Sequence, residues 1–341
     1  MRDLSDLNDD LGSIVNTLKD YVDKGALGKS AVHMEEVGCV SYFPQLQKPL
    51  NYVRPFEGKF VAVDCSTKPL MRGNRFGIYL MRVAYASVNP SEKDNPVTWG
   101  PTPLEERMCT AIGDAISRRD KLRRARFEYE SKLAETLLPQ LNSSDYLLLD
   151  GASYFGKPED GRFAFALYEK AHRRDLKFLT VSKNSPSLLD NKGRDLISQI
   201  AVHMCTATPW VYPLKELKAD FHKHRFGDVS LVKLNTDSFR IFRCDIMNYL
   251  VGGDIVQLLS PLISISDDPR CLGYPVSLYL AHNFAKVDSD AKLLHYRDLV
   301  ENALDDEGLL HFLKMEETLS NFRSEMYGRK YPWELEEHQL V

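Results

Sequence analysis

Two short apolar runs, each ending on an aspartate, constrain this chain more than any other feature: Phe60-Val-Ala-Val-Asp64 and Asp145-Tyr-Leu-Leu-Leu-Asp150, the second followed at once by Gly151. Runs this short, bounded by polar and turn residues, read as buried strands. In open α/β sheets the ligand site lies beyond the carboxyl ends of strands, so two strands ending on Asp can bring their carboxylates together. Oxygen donors of this kind suit hard cations such as Mg²⁺ or Mn²⁺. Two such ions, about 3.5–4 Å apart, clamp the attacking and leaving oxygens of a phosphodiester. The competing reading is an Asp-Gly that simply starts a turn.

The rest of the chain supplies the surroundings. Leu4, Leu7, Leu11, Ile14, Leu18 and Val22 recur every three or four residues, which predicts an amphipathic helix within residues 1–30. After the first Asp-ending strand and a turn at Gly73-Asn74, Phe76 to Val88 reads as a second strand, antiparallel to the first. Residues 89–101 read as loop, with a brief strand at Val97–Trp99. Thr102, Pro103 and Glu105 then form a capping-box pattern, and Leu104, Met108, Ile112 and Ile116 repeat at i+4, so a helix is expected from there to Pro139. The strand ending on Asp150, a helix over 160–174 and a strand over Lys177–Lys183 make a parallel βαβ unit. Two further strands, Val229–Leu234 and Phe239–Ile246, flank a turn, and helices follow at 247–260, 275–287, 290–304 and 309–326. The expectation is α/β: a mixed sheet of an antiparallel hairpin plus parallel strands, flanked by helices, with helical N- and C-terminal additions. The RNase H-like fold has this order, and other mixed α/β folds share it.

Composition narrows the class. With 43% hydrophobic and 27% charged residues, the 341-residue chain can bury a sizeable core. No apolar run reaches the length of a membrane span, and the acidic N-terminus lacks a secretory pattern, so the expected location is the cytoplasm, away from membranes. The six cysteines form no C-x-x-C pair, which argues against a zinc site and for reduced core thiols. No Walker A motif is present, so any ATP hydrolysis must come from a partner. A net charge of −4 means that DNA contact must rest on a local patch. One stretch qualifies, Arg118-Arg119-Asp-Lys121-Leu-Arg123-Arg124-Ala-Arg126, as a phosphate track or as a solvated helix face.

Other residues could complete a metal site. Glu128 and Glu130 lie on the expected long helix, and being two apart they face different ways, so only one can point inward. Lys183 ends a strand, where it can contact a phosphate or remain solvated. Tyr274 precedes Pro275, which opens a helix, and His282 follows two turns later, where a lone His is more often structural.

Taken in order, Val63-Asp64-Cys-Ser66, Tyr-Leu-Leu-Leu-Asp150-Gly-Ala-Ser153, Val181-Ser-Lys183 and Gly273-Tyr-Pro-x-x-Leu-x-x-Ala-His282 resemble the motifs of the NurA nuclease family across about residues 60–287. The Gly-Tyr-Pro and Ala-His spacing is the most specific of them. The resemblance implies an RNase H-like domain related to the PIWI domain, at residues 51–290, between an N-terminal helical extension (1–50) and a C-terminal helical segment (291–341). It implies a Mn²⁺- or Mg²⁺-dependent DNA nuclease holding two ions, a 5′–3′ exonuclease and single-strand endonuclease. It further implies a homodimer docked on a HerA-type hexameric ATPase in double-strand-break end resection. Carried over by position, Asp64, Glu128, Asp150 and His282 are the metal-site residues, with Lys183 and Tyr274 assisting and Glu130 as the substitute for Glu128. Cys65 and Ala152-Ser153 depart from the family's usual residues, leaving the ligands in place. The alternatives to an active nuclease are a non-catalytic DNA-binding or scaffold subunit and a metal phosphoesterase acting on a small substrate.

Overall fold

The computed structural model describes residues 4–24, 35–36, 43–51, 56–92, 94, 96–153, 158–183, 188–189, 196–201, 208–287 and 290–327. The strands are β1 (Glu35–Glu36), β2 (Lys48–Pro49), β3 (Phe60–Arg72), β4 (Phe76–Val88), β5 (Val97–Ile112), β6 (Tyr146–Asp150), β7 (Lys177–Ser182), β8 (Leu188–Leu189), β9 (Trp210–Pro213), β10 (Gly227–Lys233) and β11 (Phe242–Met247). The α-helices are α1 (Leu4–Lys24), α2 (Ala115–Leu137), α3 (Pro158–Arg173), α4 (Leu196–Ala201), α5 (Ile255–Leu259), α6 (Val276–Ala285), α7 (Asp290–Asp306) and α8 (Leu310–Tyr327).

Among the described residues nine strands form one sheet in the order β2-β9-β10-β11-β7-β6-β3-β4-β5, and β1 pairs with β8 separately. β3, β4 and β5 are antiparallel, β6 lies parallel to β3, and β7 lies parallel to β6. A β-meander continued by parallel strands on its first member is the RNase H-like arrangement. β11, β10, β9 and β2 extend it with antiparallel pairs.

Strict alternation along the central strands sends side chains to two helical layers. Val61, Val63, Cys65, Leu147 and Leu149 pack with Tyr129, Leu133 and Leu137 of α2 and with Leu167 and Ala171 of α3. Phe60, Ala62, Tyr146 and Leu148 face the other way, against Tyr274 and against Leu278 and Ala281 of α6. α1, α7 and α8 close a third cluster around the outer halves of β3, β4 and β5. Among the described residues no helix is long and apolar enough to cross a membrane.

The expected helix start at Thr102 is overturned. Residues 97–112 form β5, and α2 begins only at Ala115, capped by Asp114, whose Oδ1 accepts from the Ser117 amide at 2.8 Å. The i+4 repeat of Leu104, Met108 and Ile112 misled because four is also a multiple of the strand period of two. Pro101 and Pro103 are tolerated because β5 is an edge strand, and they fall where the register slips from Val83↔Glu105 to Tyr85↔Gly100. The first Asp-ending strand also runs further than expected, to Arg72. In place of one helix over 247–260 there are a 3-10 turn at Asn248–Leu250 and the short α5.

Candidate active site

Asp64 and Asp150 follow from the alternation just described. Both fall on the α6 face of the sheet, on adjacent parallel strands whose last paired residues are Val63 and Leu149. β6 stops at Asp150 while β3 continues, so the edge of β3 beyond this point is open to both helical layers. Gly151 makes the stop possible: at φ +114° it turns the chain away in a conformation that L side chains rarely adopt.

Seven side chains gather at this step. Asp64 is 1% exposed. Its Oδ2 lies 2.7 Å from His282 Nδ1 of α6 and 3.9 Å from Lys183 Nζ. Its Oδ1 lies 3.4 Å from Arg126 Nη2 of α2 and accepts from the Cys65 amide at 2.8 Å. Asp150 Oδ2 pairs with Lys183 Nζ at 2.9 Å, and its Oδ1 accepts from the Tyr274 hydroxyl at 3.2 Å. Glu130 completes the group from α2: it is buried, its Oε1 accepts from the Cys65 amide at 3.1 Å and it lies 3.8 Å from Arg126. Tyr274 is delivered by Gly273, whose φ of +86° and close approach to Ser238 exclude a side chain.

The structure thus brings together Asp64, Asp150, Lys183, Tyr274 and His282, and it leaves Glu128 outside. Glu128 is partly exposed and pairs with Lys132 at 2.7 Å, one turn along the outer face of α2. The inward stripe of α2 is Leu122, Tyr129, Glu130, Leu133, Ala134 and Leu137, so Glu130 takes the place expected of Glu128. The basic stretch divides as well. Arg118 is buried, donating to the Gly73 and Asn74 carbonyls of the β3–β4 turn, and Lys121 donates to the Ile112 carbonyl. Arg126, expected with the phosphate track, lies instead against the carboxylate cluster. Arg123 and Arg124 are exposed, and Arg119 is half-buried.

Sequence reasoning missed the support behind Asp150. The Ser153 amide and hydroxyl both donate to Asp245 Oδ2, at 2.8 and 2.7 Å, and Arg243 Nε donates to Asp245 Oδ1 at 2.6 Å. Both charged side chains are fully buried. Breaking such a pair costs about 3–5 kcal/mol, so it fixes the turn after Asp150 firmly. Asp245 and Arg243 are two apart on a strand and share a face, a signal readable only once β11 is placed beside β7.

The electrostatics mark the cluster as crowded with carboxylates. Burial pushes the Glu130 carboxyl up from 4.5 to about 8, and Asp64 and Asp150 add to the rise against the opposing Arg126. Burial also raises Asp64, but the His282 hydrogen bond and the Arg126 and Lys183 charges outweigh it, and Asp64 ends below its ordinary value. Tyr274 is raised far above its ordinary value by burial and by both aspartates, so it stays a hydrogen-bond donor.

A prediction follows for the protein free of metal. Unfolded Glu130 ionises near its ordinary 4.5, whereas folded Glu130 holds its proton to about 8. The folded state therefore binds the extra proton in that window, and its contribution to stability, complete below pH 4.5, is lost as the pH rises to about 8. Glu130→Gln removes this loss, so thermal melts in EDTA should show the variant gaining on wild type steadily between pH 5 and 8. A constant difference across that range refutes the assignment.

No family model matches the sequence, and no curated protein is significantly similar to it. Among solved structures, the catalytic domain of human endonuclease V aligns at 12% identity over 87% of this chain and 97% of its own, with a TM-score of 0.38. An Aquifex aeolicus Argonaute structure aligns at 13% identity over 71% of this chain and 30% of its own, with a TM-score of 0.29. A second structure of the same Argonaute aligns at 13% identity over 70% and 29%, with a TM-score of 0.27.

Proposed function

We propose that this protein is a divalent-metal-dependent DNA nuclease whose centre is Asp64, Glu130 and Asp150. The observation that carries the reading is the convergence of three carboxylates from β3, α2 and β6, with one raised to about 8 by burial and by the other two. A cluster of this kind attracts cations. Lys183 already sits between Asp150 and Asp64 with its side chain only one-third exposed, so the gap accepts positive charge. The donors are hard oxygens with one imidazole, which fits Mn²⁺ or Mg²⁺. Among the described residues no three His, Cys, Asp or Glu side chains are already drawn in tightly enough to grip one ion. The fit therefore rests on the chemistry of the donor set.

Asp64, Glu130 and Asp150 would hold the cations, with His282 at the edge. Bound there, the metal supplies positive charge to phosphate oxygens and acidifies water. The protein's own groups do the rest. Lys183 neutralises phosphate charge from its place between the aspartates. Tyr274, kept protonated, orients Asp150 through its hydroxyl, and His282 fixes the rotamer of Asp64. The ordered motifs resembling the NurA family support the finer reading: 5′–3′ and single-strand cleavage of DNA with Mn²⁺, as a cytoplasmic homodimer working with a HerA-type ATPase in end resection.

The test is incubation of labelled single-stranded DNA with the pure protein, in Mn²⁺ and in EDTA. Cleavage in Mn²⁺ alone supports the reading. One observation favours a second reading, a non-catalytic DNA-binding subunit: Lys183 and Arg126 already lie against the two aspartates. DNA binding without cleavage in any metal would establish it.

The exposed Arg123 and Arg124 are the proposed phosphate contacts, with Arg119 beside them. Replacing Arg123 and Arg124 by Ala should weaken single-stranded DNA binding and reduce the logarithmic salt slope by roughly 0.7 per lost contact. At saturating DNA the cleavage rate should stay near wild type. An unchanged slope assigns this face to solvent or to a protein partner.

A further inference from the structure

Behind Asp150, on the opposite face of the sheet from His282, a pocket opens between the ends of β6 and β7 and the helices α2 and α3. Four aromatic rings line it, from Phe127, Tyr168, Phe178 and Phe226, together with Thr180 and Asp150 itself. Its empty space is about 340 Å³, counted with the mouth open to solvent, so the enclosed part is small.

One group inside the pocket lacks what buried polar groups need. Thr180 is 4% exposed, and its hydroxyl has no hydrogen-bond partner. Buried hydroxyls are nearly always satisfied, and an exception calls for an explanation. Alternation along β7 accounts for its direction. Leu179 and Val181 face the α6 layer, while Phe178 faces the α2–α3 layer, and Thr180 points the same way as Phe178.

We propose that this pocket receives one nucleobase of a single DNA strand, unstacked from its neighbours, whose phosphate lies at the carboxylate cluster. The proposal rests on the reading of that cluster as a DNA-cleaving site. The chemistry is that of a base: aromatic side chains stack on π faces of any sequence, and the Thr180 hydroxyl both donates and accepts at a base edge. The placement agrees, because Asp150 borders both the pocket and the cluster, and a base is tethered within one sugar of its phosphate. Taking the base out of the stack also favours single strands over duplex, where unpairing adds a cost.

The experiment walks a single abasic nucleotide across the cleavage position of a labelled strand. With Mn²⁺, wild type should show one position where loss of the base slows cleavage about tenfold, the scale of base–aromatic stacking. Ala164 lies in the pocket wall on α3, so Ala164→Leu fills the space. That variant should cut the intact strand at the abasic rate and show no further penalty. Thr180→Val keeps the shape, removes the hydroxyl and should shrink the penalty several-fold, which keeps the test decisive should Ala164→Leu fail to fold. Indifference of wild type to every abasic position overturns the proposal, as does a penalty unchanged in both variants. If wild type cuts nothing, the cleavage reading falls separately. Binding in EDTA of a strand carrying 2-aminopurine then decides for the pocket: quenching that Ala164→Leu abolishes supports it, and no quenching overturns it.

Discussion

Asp64→Asn and Asp150→Asn should each reduce the proposed Mn²⁺-dependent cleavage by about a thousandfold or more. Both carboxylates lie at the step where β6 ends and β3 continues, and each lies near Lys183 and within hydrogen-bond reach of a second side chain, His282 for Asp64 and Tyr274 for Asp150. Losing a shared ligand removes several kcal/mol of transition-state stabilisation, and about 4 kcal/mol corresponds to a factor near 10³. The two positions differ in stability. Asp64 is 1% exposed and lies against His282, Arg126 and Lys183, so Asp64→Ala removes the buried charge these groups share and should destabilise the fold by about 3–5 kcal/mol. Asp150 is less buried, and its alanine variant should melt close to wild type. Single-turnover cleavage and thermal melts check both halves. Near-normal activity in either Asn variant removes that residue from the centre.

The second large effect separates two glutamates two residues apart. Glu130→Gln should lower cleavage by at least about a hundredfold, because a buried carboxylate facing the cluster becomes a neutral amide; about 2.7 kcal/mol is enough for that factor. Glu128→Gln loses only a half-exposed pair with Lys132, worth about 0.3–0.5 kcal/mol, and cleavage should stay within about twofold of wild type. Greater damage at position 128 would restore it as the metal-site acid.

How far these features were readable from the sequence depends on the kind of signal. The Asp-ending strands were legible because four buried apolar residues followed by Asp and a turn have few other outcomes. The Gly273-Tyr274-Pro275 entry to α6 was legible for the same reason, since glycine and proline each restrict the backbone there. The inward acid was not taken from the helix, although Leu122, Tyr129, Leu133 and Leu137 mark the buried stripe and Glu130 lies on it. Carrying Glu128 over by position from the NurA resemblance displaced that local argument. β5 was misread because a spacing of four fits both periods and a threonine–proline pair mimics a helix cap. Arg118 and Arg126 look alike in sequence; only the position of the β3–β4 turn and of Asp64 shows that one caps a turn and the other faces the cluster. The Arg243–Asp245–Ser153 support depends on strands distant in sequence, and no local pattern announces it.

The central claim is that this cluster holds divalent cations, and Mn²⁺-dependent thermal stabilisation tests it most directly. Saturating a site at about 100 times its Kd adds about 2.7 kcal/mol to folding. For a protein of this size that raises Tm by roughly 4 °C. Wild type at pH 7.5 should show this rise, saturating and reversed by EDTA, and Asp64→Asn and Glu130→Gln should show little of it. A Tm indifferent to Mn²⁺, or a rise of the same size in both variants, contradicts the account.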